Sequence, residues 1–377
     1  MQRRIDFCTS TLVLALLAAA FPLLAAAGDS PEGGRFYGML RSRDLTPFGG
    51  LRLDMRPAHA VSIEPHSFAF EVELGYQNTW ALSPNVEKYL SGLEEQHVPR
   101  HRLGPADVEA IQNLPGENYL LDVEVATLDL AVHYKLSSQW AIYAIATALS
   151  YGGGFLDPSI EQFHKTFGFS TFGRHALARN DVNVIYNFKG SQTVLLGGPS
   201  TSGFSDPTFG LRYSGFNLPG RWRMSVETAV KVPLDGERLL LSTGRTDYGA
   251  QVSVRRLGRR NALHMDFAAV YYAGQDVPAP QDSQIIPTLV VGWERQLTGR
   301  TNANLQGYAS KSVYGHDQTD LKDLLSDKFQ LSLGIRHRFD CCVASFAATE
   351  NLQNLNNTPD IGFQIGFAWV PTIRPPR

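Results

Sequence analysis

Phe68 to Gln77 reads FAFEVELGYQ. One phase of this stretch is Phe68, Phe70, Val72, Leu74 and Tyr76; the other is Ala69, Glu71, Glu73, Gly75 and Gln77. A strand sends successive side chains to opposite faces, so the segment predicts a strand with one apolar and one polar face. The alternation returns at Leu128, Leu130, Val132 and Tyr134, and at Trp222, Met224 and Val226. It returns again at Phe329, Leu331, Leu333 and Ile335, and at Ile361, Phe363, Ile365, Phe367 and Trp369. Strands of soluble sandwiches run to about 5–6 residues, whereas a strand that crosses a bilayer at a tilt needs about 9–11. Many of these stretches are of the longer kind. The pattern predicts an all-β fold, a transmembrane antiparallel β-barrel whose apolar face meets lipid and whose polar face meets a lumen.

Twelve strands are expected, over 66–80, 118–136, 138–151, 204–216, 220–234, 246–257, 261–273, 285–297, 300–314, 326–340, 342–351 and 359–370. Short turns fall at Ser137-Ser138, Asn217 to Pro219, Gly258 to Arg260, Thr298-Gly299 and Asp340-Cys341. Long connections fall at 81–117, 152–203, 235–245, 274–284, 315–325 and 352–358. Short periplasmic turns, long extracellular loops and an even strand count belong together in outer-membrane barrels. The parity requires that Val182, Val184, Tyr186 and Phe188, with Gln192 to Leu196, form a hairpin above the rim. Two aromatic girdles are expected at the membrane interfaces. Tyr134, Trp140, Tyr213, Trp222, Trp293, Phe339 and Trp369 mark the periplasmic one, and Trp80, Tyr119, Tyr151, Tyr248, Tyr271 and Tyr314 the outer one. Between 119 and 128 the apolar phase changes near Ala126, which predicts a bulge.

The rest of the chain divides around this barrel, placed at 66–370. Arg3 and Arg4, the apolar run Leu12 to Leu24 and Ala25-Ala26-Ala27 read as a secretory signal peptide over 1–27. Residues 28–65 carry prolines and arginines with little alternation, and are expected to form a periplasmic lead or a plug. Residues 371–377 form a C-terminal tail. With 34 Lys+Arg against 36 Asp+Glu, a net charge of −2 leaves no basic surplus for nucleic acid. Charged residues at 19% and aromatics at 11% exclude disorder for most of the 377 residues. Cys341 and Cys342 are adjacent; they read as two free thiols at a turn, which only a distorted turn would join. No zinc, calcium or phosphate-loop spacing is present, so no metal and no cofactor is expected.

Three stretches carry a family resemblance: GGFLDPSIEQFHKTFG at Gly153 to Gly168, SGFSDPTFGLRY at Ser202 to Tyr213, and ENLQNLNNTPDIGFQIGF at Glu350 to Phe367. Together they resemble the exported Gram-negative family catalogued as domain of unknown function 3187, from about Phe36 to Trp369. The resemblance implies an outer-membrane barrel. It implies no reaction, because the family carries no established activity. Val370 to Arg377 follow the last aromatic, whereas many barrels end on it.

Strand phase places Glu71, Glu73, Asp129, Lys135, Arg212, Glu227, Lys231, Glu294, Arg336 and Arg338 in the lumen. Rings of charge bias which solutes enter a pore, but the near balance of signs here favours a structural ion-pair network filling a modest lumen. Asp157-Pro158 opens a short helix. Phe163, His164 and Phe167 on it are gate candidates at the barrel mouth, with Gly152-Gly153-Gly154 as a hinge; the rival is a helix packed on the rim. His66 and Ser67 point to opposite faces, and His264 and Asp266 share a face with no hydroxyl beside them, so no catalytic residue is assigned. His97, Arg100, His101 and Arg102 form a basic group that would face lipopolysaccharide phosphates, or a solvated loop. The expected function is a channel or transport protein for small solutes in the bacterial outer membrane, with membrane lipid and lipopolysaccharide as neighbours. A structural or surface-binding barrel acting through its loops is the alternative, and a barrel lipid hydrolase the third reading.

Overall fold

The computed structural model describes residues 35–44, 46–56, 64–189, 191–196, 201–216, 218–353 and 357–369. The expected signal peptide and C-terminal tail lie outside the described residues. The strands are β1 (Phe68–Leu82), β2 (Asn118–Lys135), β3 (Trp140–Gly152), β4 (Asn183–Phe188), β5 (Ser191–Leu196), β6 (Ser202–Phe204), β7 (Thr208–Tyr213) and β8 (Trp222–Lys231). They continue with β9 (Asp247–Leu257), β10 (Asn261–Tyr272), β11 (Gln284–Gln296), β12 (Thr301–Ser310), β13 (Lys328–Arg338), β14 (Cys342–Gln353) and β15 (Ile361–Trp369). The helices are α1 (Pro84–Glu95), α2 (Pro105–Gln112), α3 (Asp157–Phe167) and α4 (Lys322–Leu325).

Twelve of these strands close a barrel in the order β1, β2, β3, then β7 to β15, with β15 returning to β1. Every pairing is antiparallel, and the closing seam runs from Phe70 opposite Trp369 to Asn78 opposite Ile361. Closure matters because an open edge in hydrocarbon would leave backbone donors and acceptors without partners. The outward phase is apolar and exposed: Phe70, Leu74, Leu130, Ile142, Phe209, Phe267, Leu289, Leu333 and Ile365 all stand open on the outer surface. A belt this size is far beyond what a water-facing monomer carries, and it fits contact with lipid. No helix among the described residues is long and apolar enough to cross a membrane.

β1 and β2 overrun this belt on the extracellular side. Phe68 to Tyr76 supplies the nine-residue span that a tilted crossing needs, and β1 then continues to Leu82. The pairing of β1 with β2 keeps one register from Phe68–Tyr134 to Leu82–Leu120. The bulge expected near Ala126 is therefore absent. The phase changes because the environment changes: above the membrane the inward face turns apolar at Tyr119, Leu121, Val123 and Val125. The outward face there is covered by the chain's own loops. Trp80, Leu82 and Leu120 pack under Val86 and Leu90 of α1, Ile111 of α2, and Ala176 and Leu177.

β4 and β5 extend this projecting sheet, β4 pairing with the first five residues of β2, while β6 pairs with the end of β3. The expected hairpin above the rim is present. The outer aromatic girdle is corrected. Tyr248 and Tyr271 are exposed as a girdle requires, but Tyr119, Tyr151 and Tyr314 belong to the buried cluster over the mouth, and Trp80 to the cluster under α1. These rings sit on strand ends and loops that have left the bilayer, so protein rather than headgroups covers them.

Candidate functional site: a lumen filled by the N-terminal segment

The inward face of the barrel surrounds residues 35–56. The described residues of this segment form no strand and one 3-10 turn, Gly49–Leu51, so their backbone groups need partners outside regular structure. The wall supplies them. Tyr37 and Gly38 N–H donate to the two carboxylate oxygens of Glu294 at 2.7 and 3.1 Å. Asn302 donates to the Arg35 carbonyl at 2.8 Å, Asn304 to that of Gly38 at 2.9 Å, and Gln306 to that of Leu40 at 3.2 Å. Arg336 donates to the Tyr37 carbonyl. Further along, Lys231 donates to the Leu51 carbonyl at 2.6 Å, and Leu53 N–H to Asp247 at 2.8 Å. β11, β12 and β13 hold the start of the segment, and β8 and β9 hold its end.

Charge pairing adds to this grip. Asp129 on β2 receives Arg43 at 3.2 Å and Arg56 at 2.7 Å, and accepts from Thr147 as well. Asp44 of the segment pairs with Lys328 of β13 at 2.7 Å, and Arg41 lies 3.6 Å from Glu71. Arg52 donates to the Tyr308 hydroxyl at 2.5 Å. All these groups are buried except Glu71, which is half-buried. A buried ion is tolerated only when paired and hydrogen-bonded, so segment and wall fix each other's positions.

Above the polar stretch, the mouth is closed by apolar packing. Phe48 and Leu51 join Tyr119, Tyr151, Tyr186, Phe188 and Tyr314 in one buried cluster. Phe48 meets Tyr186 edge-on at 5.3 Å, and the hydroxyls of Tyr186 and Tyr314 lie 2.8 Å apart.

Of the ten residues assigned to the lumen by phase, Asp129, Lys231, Glu294, Arg336 and Glu71 meet the N-terminal segment or its arginines as described. Glu73 lines a small cavity with Arg41, Glu71 and Arg336. Arg212 and Glu227 pair with each other at 2.8 Å, under the ring of Tyr143. Lys135 and Arg338, at the periplasmic ends of their strands, are half-buried. The reading of the sequence missed Asp247 and Lys328 on the wall, and Arg41, Arg43, Arg52 and Arg56 on the segment. A signal existed: an arginine-rich stretch without alternation precedes strands whose inward phase is rich in carboxylates.

Phe163 and Phe167 lie outside the buried cluster over the mouth. They are 49% and 63% exposed and meet at a tilt with ring centres 4.7 Å apart, with Phe169 beside them. His164 Nδ1 lies 2.7 Å from the Ser170 carbonyl. The helix is bolted down rather than hinged. A side chain on Gly153 would strike the Asn180 backbone, and one on Gly154, at φ +64°, would strike Glu124. Phe155 and Leu156 N–H donate to Glu124 at 2.9 and 2.7 Å. Arg174 ties Asp157 at 2.8 Å and Asp360 at 2.6 Å, and lies over the Trp80 ring. The glycines are there for close approach. His264 Nε2 faces Glu294 at 3.0 Å, and His66 sits at the periplasmic end of β1. Cys341 and Cys342 are free, with sulfurs 3.3 Å apart at the β13–β14 turn.

Among solved structures, the chain is similar to the COG4313 outer membrane channel from Pseudomonas putida F1, at 10% identity and a TM-score of 0.48, covering 82% of this chain and 96% of that one. It is similar also to the toluene transporter TbuX of Ralstonia pickettii, at 11% identity and a TM-score of 0.38, covering 92% and 99%. The toluene transporter TodX of P. putida gives 9% identity and a TM-score of 0.37, covering 82% and 91%. No curated protein matches the sequence. The family described as "Protein of unknown function (DUF3187)" matches residues 112–369, more than half of the chain, which takes in every barrel strand but β1. The chain is a member of the DUF3187 family.

Proposed function

We propose that this protein is an outer-membrane channel for small solutes, held closed by its own N-terminal segment. One observation carries the reading: the segment fills the barrel through side-chain and backbone hydrogen bonds and ion pairs, most of them to the wall, rather than through a continuous apolar core. Among the described residues, apolar contact between wall and segment lies in small clusters, such as Met39 with Val290 and Tyr308, and at the mouth. Water and a polar solute can take over hydrogen bonds of this kind one at a time, which an interlocked hydrophobic core does not permit. The wall then becomes the lining of the path. Its mixed charges, Glu71, Glu73, Asp129, Arg212, Glu227, Lys231, Glu294 and Arg336, give weak selectivity between cations and anions.

The test is planar-bilayer conductance of the purified barrel with and without residues 35–56. The intact chain is expected to be closed or to open rarely. The shortened chain, shown to be assembled by its heat-dependent gel mobility, should give a steady current. A shortened barrel that assembles and passes no current would reject the channel.

A further inference from the structure

We infer that the face of α3 and the loop around it form a docking surface for lipopolysaccharide of the outer leaflet; this rests on the outer-membrane reading. Tyr76 closes the nine-residue apolar span of β1, so it marks the extracellular boundary of the hydrocarbon. Phe155 stacks on it at 4.9 Å and is itself 66% exposed. The lipid-facing surface of the barrel therefore continues onto Phe155, in the loop that carries α3. Eight residues on, Phe163 and Phe167 of α3 meet Phe169, three exposed rings in mutual contact. An amphipathic helix with aromatic rings on one face and lying at a bilayer boundary is the arrangement that beds into an interface.

Charge identifies the lipid. Two residues before Phe163, Glu161 is buried and receives Arg100 at 2.8 Å and Arg179 at 2.5 Å, with His175 at 3.7 Å. Arg102, three-quarters exposed in its side chain, stands 3.6 Å from Asp181. Three arginines thus share two carboxylates, and Arg102 and Arg179 keep guanidinium donors open to solvent. A guanidinium fork suits phosphate oxygens. Acyl chains against the rings and phosphates against the arginines match a lipid A head, which carries both within one molecule.

The experiment is native mass spectrometry of the full chain, purified in detergent and titrated with lipid A bearing both phosphates, with dephosphorylated lipid A and with phosphatidylglycerol. Wild type should retain the phosphorylated lipid A and prefer it to both others. F163S/F167S should weaken retention about tenfold or more, since two rings lose their contact with acyl chains. R179Q leaves Arg100 on Glu161, so the loop keeps its anchor. It should weaken retention of phosphorylated lipid A and leave the dephosphorylated form unchanged. Both variants should keep the wild-type gel shift on heating. Variants that hold lipid A as tightly as wild type would overturn the inference, as would equal retention of phosphatidylglycerol. A wild-type chain recovered as a soluble protein without detergent would instead overturn the outer-membrane reading on which it rests.

Discussion

Asp129 shows how much one inward side chain carries. It is buried on β2 and takes two arginines from the same segment, one from each side of the Gly49–Leu51 turn. Removing its charge strands both guanidiniums where water is scarce. Asp129→Asn should destabilise the barrel by roughly 3–5 kcal/mol, the usual cost of breaking a buried pair by removing one partner. Urea titration of the gel-shifted form checks this, and an unchanged midpoint would show that the arginines find other partners. Leu333 and Ser332 make the complementary case. Leu333 stands in the middle of β13 and is 59% exposed on the lipid side. Leu333→Arg should cost about 2–4 kcal/mol, as a cation near the bilayer midplane does. Read from the alternation alone, Ser332→Arg should be mild, because Ser332 faces a lumen. The structure changes that expectation: the Ser332 hydroxyl lies 3.1 Å from that of Ser42 and 2.7 Å from that of Thr349. An arginine there has no room beside the segment. It should displace Ser42 and raise conductance, whereas Leu333→Arg should lower assembly yield without opening the pore.

Among the elements, one carboxylate ties α1, α2 and the turn between them together in the loop over 83–117. Asp107 accepts from Gly104 N–H at 2.9 Å in the capping position of α2, lies 3.1 Å from His101 Nε2, and receives the Tyr89 hydroxyl of α1 at 3.4 Å. The hydrogen bond to Asp107 raises the His101 pKa above the ordinary imidazole value. Burial works against ionisation of Asp107, but the bonds from Gly104 and His101 outweigh it and hold its carboxyl below the usual range. The signs set a window. His101 contributes most below its unfolded pKa and stops contributing as pH rises through its raised value. Asp107 contributes above its unfolded pKa and stops as pH falls through its lowered one. Protection of this loop from protease should therefore be greatest in mildly acidic solution and decline towards pH 8. His101→Gln should flatten the profile, and a decline that survives the substitution would assign it to another group.

The elements also mark where sequence is legible. Within the bilayer each face of a strand meets one solvent, lipid or lumen, so β1, β13 and β15 can be read by alternation alone. Above it, both faces of β2 meet protein, and Tyr119 and Glu124 obey packing rather than phase. The mouth cluster and the covered Trp80 could not be read from period two for that reason. Glycine at 153 and 154 likewise reports close approach, which neighbours distant in sequence impose.

At the scale of the whole molecule, barrel and segment are one electrostatic system. The segment brings Arg41, Arg43, Arg52 and Arg56, and the wall answers with Glu71 and Asp129 and with the Tyr308 hydroxyl. No single strand encodes this match. It exists only once closure brings β1, β2 and β12 around a common axis, and the alternation that identified the wall is silent about what lies inside it. Two ways of releasing the segment can be told apart. Salt screens exposed charges over about 3 Å at 1 M, but buried pairs are screened much less. The wild-type barrel should therefore stay closed from low salt to about 1 M potassium chloride. Charge reversal acts where salt does not reach. Arg43→Glu with Arg56→Glu places three carboxylates around one point in the lumen, and like charges in a desolvated site repel strongly. The double variant should conduct at every salt concentration, and adding Asp129→Arg should close it again by restoring opposite signs. Opening of the wild type by salt alone would place the closing contacts at the surface rather than in the lumen. An assembled double variant that stays silent would mean that Glu294, Lys231 and the mouth cluster hold the segment without the arginines.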